Sequence, residues 1–406
     1  MLEQQDVQEA LSRSVERRHT GVHRVADETT GQSFPLPGVR LEPTNVDTGD
    51  GTTPVTRVVR ITTGPGITDY VTHETEFAYS TYGIHVGQDD RLTFFGDDQR
   101  IAVHLIDCRE DSPQLGDEIT IELAVSAYRV LIIPKGVAHT LDGLGGVVTR
   151  DEPVWYADSN PDWNPDNDLV SFPRTASSAP VVQTNRHELP VSAHLLVSRM
   201  SQRTSGAVRG AYGARYRATI GGRVTYVTLR PNWRAAEVEI VPGGPVRRNN
   251  FTLTGPESFT LVPSTDSCTS DVLEVELGLG DEKFIRHERS RRHLTWLTGS
   301  REAAVELIDA DGERQTVRLG DPTIAVRIPP GTWYRLTGRG RAWFRSETEL
   351  LDVDPTAVQH FPGQDAELAN EDGTGAARAE QDSDRYLPGA SLHALARMEA
   401  TAMSLT

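Results

Sequence analysis

The residues best suited to chemistry are few, and they recur at matching places. His85 stands in YGIHVGQ and His139 in LIIPKGVAHTLDGL, while His287 stands in FIRHERS and Tyr334 in RIPPGTWYRLTG. An imidazole titrates near neutrality, so it can take a proton from a carbon next to a carbonyl. A cation at the carbonyl oxygen steadies the enolate that results, and His85 with Arg91 in DDRLTFF can meet both needs if both face the barrel interior. Strand alternation across YGIHVGQ sets Gly83, His85 and Gly87 on one face and Tyr82, Ile84 and Val86 on the other. The small neighbours leave His85 room for a ligand. His85, Tyr82 and His287 are the candidate catalytic residues. Arg91, His139, Arg286 and Tyr334 are the candidate substrate-binding residues. Each has a plainer use: a strand histidine commonly just makes a hydrogen bond. The cluster Arg286, Arg289, Arg291 and Arg292 either grips a pyrophosphate or forms a solvated strand edge.

A metal site is the competing chemistry. His85 and His139 are two ligands, and His73, Glu74 or Glu76 would have to complete the shell. That set is incomplete, so no metal and no cofactor is expected.

Strands must position these residues. From about 57 to 175 the chain runs through VTRVVRITT, RLTFF, IAVHLID, EITIELAV and YRVLIIP, with turn residues between them. A second such region includes RVTYVTL, AEVEIV, HLTWLT, AAVELID and TIAVRIPP. The expected organisation is a lead-in over 1–56, a β domain over 57–175, a linker over 176–190, a second β domain over 191–353 and an acidic tail over 354–406. Val7, Leu11 and Val15 have helical spacing, so a short helix is expected over 2–18. The stretch 363–385 reads as mobile, and ASLHALARMEATAM reads as a docking helix or a frayed end.

The composition excludes several classes. The 406 residues are 37% hydrophobic, enough for sizeable cores, and carry a net charge of −17, which repels nucleic acid. No apolar run reaches membrane-spanning length, and no secretory leader is visible, so a cytoplasmic location is expected. Two cysteines exclude a disulfide framework.

The two β regions repeat one another. Pro134, Gly136, His139, Leu141 and Gly143 match Pro329, Gly331, Tyr334, Leu336 and Gly338, each 195 residues on. AVHLID at 102–107 matches AVELID at 304–309, and His85 matches His287, both 202 residues on. The extra seven residues fit a longer loop in the first copy around CREDSPQLGDE.

This order of early histidine, Leu-Ile-Asp strand and Ile-Pro-x-Gly turn resembles the RmlC-like cupin superfamily. The resemblance implies an all-β fold of tandem double-stranded β-helix (jelly-roll) domains. YGIHVGQ, LIIPKGVAHTLDGL and DWNPDNDLVSFP are similar to the motifs of dTDP-4-dehydrorhamnose 3,5-epimerases. On that likeness His85 is the base and Arg91 lies near the enolate-stabilising cation. Tyr82 stands where that family has Arg. The family's orienting Asp falls on Pro165, beside Asp166, and its acid Tyr falls near Thr149, leaving Tyr82 or Tyr156 as substitutes. The second copy resembles sugar 3,4-ketoisomerases through FIRHERSRRHLTWLTGS and RIPPGTWYRL, with Ile285 in place of the first histidine of their pair. The function implied is an isomerase or epimerase of a nucleotide-linked 4-keto-6-deoxy sugar, metal-free, with the nucleotide sugar as partner, no nucleic acid or membrane, and a possible homodimer. The alternatives are a metal-dependent cupin oxygenase and a non-catalytic sugar-nucleotide-binding cupin.

Overall fold

A computed structural model describes residues 13–49, 53–62, 66–73, 78–157, 168–188, 215–220, 223–228, 240–241, 244–245, 257–264, 268–278, 283–288, 290–308, 312–322, 325–350, 366–369 and 375–377. Among these residues every regular element is a strand, and no helix is long and apolar enough to cross a membrane.

The strands close two barrels, each from two facing sheets. In the first barrel one sheet runs in the order Leu169–Pro173, Thr81–His85, Val137–Asp142, Arg100–Asp107, Asp117–Ala124, Arg18–Arg24. The facing sheet runs Glu257–Ser264, Gly66–His73, Val148–Asp151, Gln88–Phe95, Arg129–Ile133, Arg40–Pro43, Gln32–Ser33. The second barrel repeats this order with Ala366–Ala369, Phe284–His287, Trp333–Thr337, Ala304–Ile308 and Arg314–Arg318 on one side. Its other sheet holds Val55–Arg60, Cys268–Leu277, Gly340–Leu350, Ser290–Gly299 and Ala325–Ile328. The fold is thus an all-β tandem jelly roll.

Alternation explains the core. Ile101, Val103 and Leu105 point inward with Ile119, Ile121 and Leu123 from the neighbouring strand, and all join one buried cluster. Burying each such side chain contributes about 1.5–3 kcal/mol. The opposite face of the same sheet is covered as well. Tyr82, Ile84, Ile106, Cys108 and Phe172 are buried there under Ala179 and Val182.

The barrels exchange strands. Glu257–Ser264 pairs along the whole of Gly66–His73, and Val55–Arg60 pairs with Cys268–Leu277 in the second barrel. Between the barrels Phe95 meets Trp343 at 5.6 Å, within a cluster that includes Val59, Tyr70, Val148 and Leu297. The buried Arg150 donates to the carbonyls of Val59 and Arg60. The expected boundary at 57 therefore cuts through a strand that belongs to the second barrel.

Three further expectations differ. Residues 14–16 and 18–24 are strands, not part of a helix over 2–18, because open edges at Ser178–Pro180 and Asp117–Ala124 pair with them; residues 2–12 lie outside the described residues. The stretch 176–190 is not a free linker, since it pairs at Ser178–Pro180 and again at His187–Glu188. Within 363–385, Ala366–Ala369 forms a strand beside Phe284–His287, and Gly375–Ala377 forms a strand beside Ala366–Ala369. The segment ASLHALARMEATAM lies outside the described residues.

Candidate functional site

The Pro-x-Gly turn locks the histidine strand in both barrels. Gly136 has φ +78° and Gly331 φ +77°, a left-handed conformation that favours glycine. The Gly136 N–H donates to the His85 carbonyl at 2.6 Å, and the Gly331 N–H donates to the His287 carbonyl at 2.8 Å. The turn thereby ties the two histidine-bearing strands of the first barrel together, and His139 pairs with Gly83.

Inside the first barrel His85 and His139 stack, with ring centroids 5.8 Å apart and planes 22° apart. Asp90 lies against both, at 3.7 Å from His85 Nε2 and 3.4 Å from His139 Nε2. His85 Nδ1 is 2.9 Å from Asp168 Oδ2, and the Gly87 N–H donates to Asp168 Oδ1 at 2.6 Å. Asp168 is fully buried just before the strand whose Leu169 pairs with His85. A carboxylate only accepts, so Nδ1 carries the hydrogen, and in the neutral ring Nε2 presents its lone pair. Gln88 Nε2 donates to Asp90 at 2.5 Å and to Asp151 at 3.1 Å.

These groups form one end of a cavity of about 220 Å³. Val71, Leu92, Leu141 and Leu144 give it apolar walls, and His73, Tyr79, Thr81 and Ser171 line it as well. Burial holds His73 down at about 4, against the pull of its bond to the Val147 carbonyl. Burial also lowers His139, with Asp90 opposing. Both rings are neutral near pH 7. His85, Asp90 and His139 each offer one ligand atom within 4.8 Å of the others, so they can hold a metal ion.

The expected site residues divide. His85 and His139 meet in the cavity. Tyr82 does not reach it, because alternation turns it outward to stack on Phe172 at 5.2 Å and approach Glu118. Burial there, reinforced by Glu118, pushes its phenol up to about 12. Arg91 is also turned away, and it pairs with Glu42 at 3.1 Å. Tyr156 lies outside the cavity, donating to Asp89 at 3.0 Å beneath Lys135. His287 and Tyr334 meet each other at 3.1 Å in the second barrel. Burial, and then Arg292, push His287 well below its ordinary value. Arg286 lies apart, over the Trp333 ring and paired with Glu288.

Asp90, Gln88, Asp151 and Asp168 join the site without having been among the candidates that residue type and spacing single out. Pro165 and Asp166, where the orienting carboxylate was expected, lie outside the described residues, and the carboxylate that meets His85 Nδ1 is Asp168. The signal for Asp90 and Gln88 was present: both lie at even spacing from the core residue Leu92. Thr149, near the expected acid position, lines the cavity, and its hydroxyl has no hydrogen-bond partner.

No family model matches the chain, and no curated protein matches it. Solved structures do. A dTDP sugar isomerase from Desulfovibrio desulfuricans matches with TM-score 0.27 and 18% identity, covering 35% of this chain and 88% of its own. The dTDP-6-deoxy-D-glucose-3,5-epimerase of Legionella pneumophila matches with TM-score 0.24 and 14% identity, covering 33% and 82%. An oxalate decarboxylase from Lactobacillus farciminis matches with TM-score 0.24 and 10% identity, and spans 82% of this chain and 93% of its own.

Proposed function

We propose that the first barrel is a proton-transfer isomerase or epimerase of a nucleotide-linked 4-keto-6-deoxy sugar. The observation that carries this reading is the buried His85–Asp168 pair facing a cavity. Asp168 fixes the tautomer, so His85 Nε2 meets the substrate as a base. A proton next to the ketone passes to Nε2, and the electron pair moves into the enolate. The Thr149 hydroxyl, on the facing sheet, is available to hydrogen-bond the enolate oxygen. In a ketoisomerisation the neighbouring hydroxyl gives its proton to the enolate oxygen and His85 returns its own to the former ketone carbon; in an epimerisation solvent delivers a proton to the opposite face of the same carbon and His85 loses its proton to solvent. The test is incubation with dTDP-4-keto-6-deoxyglucose in D₂O, followed by NMR. Deuterium at C3, or at C3 and C5, is expected, and His85→Asn is expected to abolish it. Exchange that survives His85→Asn removes His85 from the role.

A second reading has its own observation. His85, Asp90 and His139 suit a divalent transition metal, as in a metal-dependent cupin oxygenase. Elemental analysis of the purified protein separates the two. Stoichiometric metal that is lost in Asp90→Asn and His139→Ala favours the second reading.

A further inference from the structure

Gln88 lines the cavity beside the proposed base, and it is buried at 1% exposure. Its amide has one orientation. Nε2 donates to Asp90 at 2.5 Å and to Asp151 at 3.1 Å, and a carboxylate accepts, so the amide nitrogen must face both. The carbonyl oxygen is thereby turned the other way, and among the described residues Oε1 meets no donor. Buried polar groups in folded proteins are nearly always paired. An acceptor held in place by two other bonds does not swing round to find a donor of its own. A substrate that fills the cavity displaces water from it, so the substrate must bring the donor.

Asp90 sets where that donor lies. The same Oδ1 that accepts from Gln88 is 3.7 Å from His85 Nε2. Gln88 Oε1 is therefore one carboxylate away from the atom that takes the proton, within the span of a single sugar ring. On the proton-transfer reading the ketone is at C4, C6 is a methyl group and C1 carries the nucleotide, so hydroxyls remain at C2 and C3 only. The C3 hydroxyl stands on the carbon that loses its proton, beside the ketone, and the chemistry itself engages it. The C2 hydroxyl is the donor left for Gln88. A 2-deoxy sugar presents only carbon-bound hydrogen there and leaves Oε1 buried and unpaired. A site built around a hydroxyl rejects the analogue that lacks it far better than an apolar pocket rejects an added group.

We infer that Gln88 is a specificity-determining residue: its Oε1 accepts from the C2 hydroxyl, so that the first barrel takes 2-hydroxy sugars and discriminates against their 2-deoxy counterparts. The inference rests on the proton-transfer reading for its sugar and adds the substituent that is recognised. Gln88 acts on substrate choice, and the proton passes through His85 in either sugar.

The experiment compares dTDP-4-keto-6-deoxyglucose with dTDP-4-keto-2,6-dideoxyglucose on the full-length, chelator-treated protein, by calorimetric titration and by deuterium wash-in. The 2-deoxy sugar is expected to bind and to exchange about 10–100-fold less well, the cost of leaving one buried acceptor unpaired. Both sugars meet the same protein, so this arm stands even if a variant fails to fold. Gln88→Met keeps the length of the side chain and removes the amide, and it is expected to bring the two sugars within about threefold of each other. A merely structural role for Gln88 weakens both sugars alike and leaves their ratio unchanged, and that result overturns the assignment. Equal binding and equal exchange of the two sugars by the parent protein overturns the inference and leaves the isomerase standing. A binding preference for the 2-hydroxy sugar that Gln88→Met abolishes, with no exchange on either sugar, upholds Gln88 and sinks the isomerase. Neither binding nor exchange with either sugar overturns both.

Discussion

Replacing Asp168 by Asn tests the proposed base without touching the cavity wall. The two side chains have the same shape, and Asp168 is 1% exposed, so no water can fill in for the lost charge. The Gly87 N–H already donates to one oxygen of Asp168, at 2.6 Å. In the variant the amide oxygen must stay there, because turning it would set two donors against each other. The amide nitrogen then faces His85 Nδ1, across what was a 2.9 Å contact. It can only donate, so Nδ1 must accept, and the ring hydrogen moves to Nε2. The lone pair that would take the substrate proton is gone. Positioned acid–base catalysis is worth about 10²–10⁴-fold, and a forced tautomer change has cost about 10⁴-fold in serine proteases. Deuterium wash-in is therefore expected to fall by about 10³-fold, equivalent to about 4 kcal/mol of barrier. Nitrogen-15 NMR of the imidazole, run on the same samples, is expected to show the hydrogen moving from Nδ1 to Nε2. Exchange within about threefold of the parent, with the tautomer moved, would refute the argument.

Other consequences follow from the packing and the charges. Trp343→Ala removes the ring that meets Phe95 between the barrels, and unfolding in denaturant is expected to show a loss of about 3–5 kcal/mol. Gly136→Ala would set a Cβ 2.4 Å from Arg109 Cγ and 2.6 Å from Thr184 Cγ2 at a φ of +78°, so a lower melting temperature and weaker ligand binding are expected together. His73 titrates at about 4 when folded and near 6.5 when unfolded, so the unfolded chain binds the extra proton between those values. Stability is then full above about pH 6.5, lower by about 2 kcal/mol at pH 5 and level again below pH 4; His73→Phe is expected to flatten that slope in denaturation measured at pH 7 and pH 5. A fragment ending at residue 190 lacks Glu257–Ser264, which leaves Gly66–His73 unpaired on that side, and it is expected not to unfold cooperatively.

The fold was legible where the pattern is local. Alternation in IAVHLID and EITIELAV marks strands regardless of where they pair, and a turn glycine at 136 or 331 is a requirement of backbone geometry. The helix expected over 2–18 shows the limit. Four-residue spacing of valine and leucine is a weak preference, and Val15 instead packs against the outer layer from a strand. The exchange of strands left no local trace, because Val71 pairs with Phe259 and Val59 with Val272 across about two hundred residues. In the site, imidazoles stand out by type alone. Asp90 and Asp168 did not stand out, since carboxylates are common in a chain with 58 of them. What distinguishes these two is burial, which belongs to the tertiary structure. Tyr82 and Arg91 were attractive by type, and the alternation that favoured His85 already placed Tyr82 on the other face.

The second barrel differs from the first at the matching positions. At the 202-residue offset, Asp90 corresponds to Arg292 and Gln88 to Ser290, while Tyr334 replaces His139. Burial, and then the arginine there, disfavour the protonated form of His287, which a base must reach when it accepts a proton. The polar end of one barrel is anionic, and the matching end of the other is not. The second barrel still bears on the first through its structure. Its segment Glu257–Ser264 flanks the strand that carries Val71 and His73 into the cavity. On the outer face of that strand Tyr70 meets Ser270 at 3.2 Å, under Arg345. A substitution at Ser270 or Arg345 is therefore expected to reach the cavity wall through Tyr70, at residues that do not line the cavity. On the proposed function, its effect is expected in KM, whereas a change at Asp168 is expected in kcat, and steady-state kinetics of the two variants separates them.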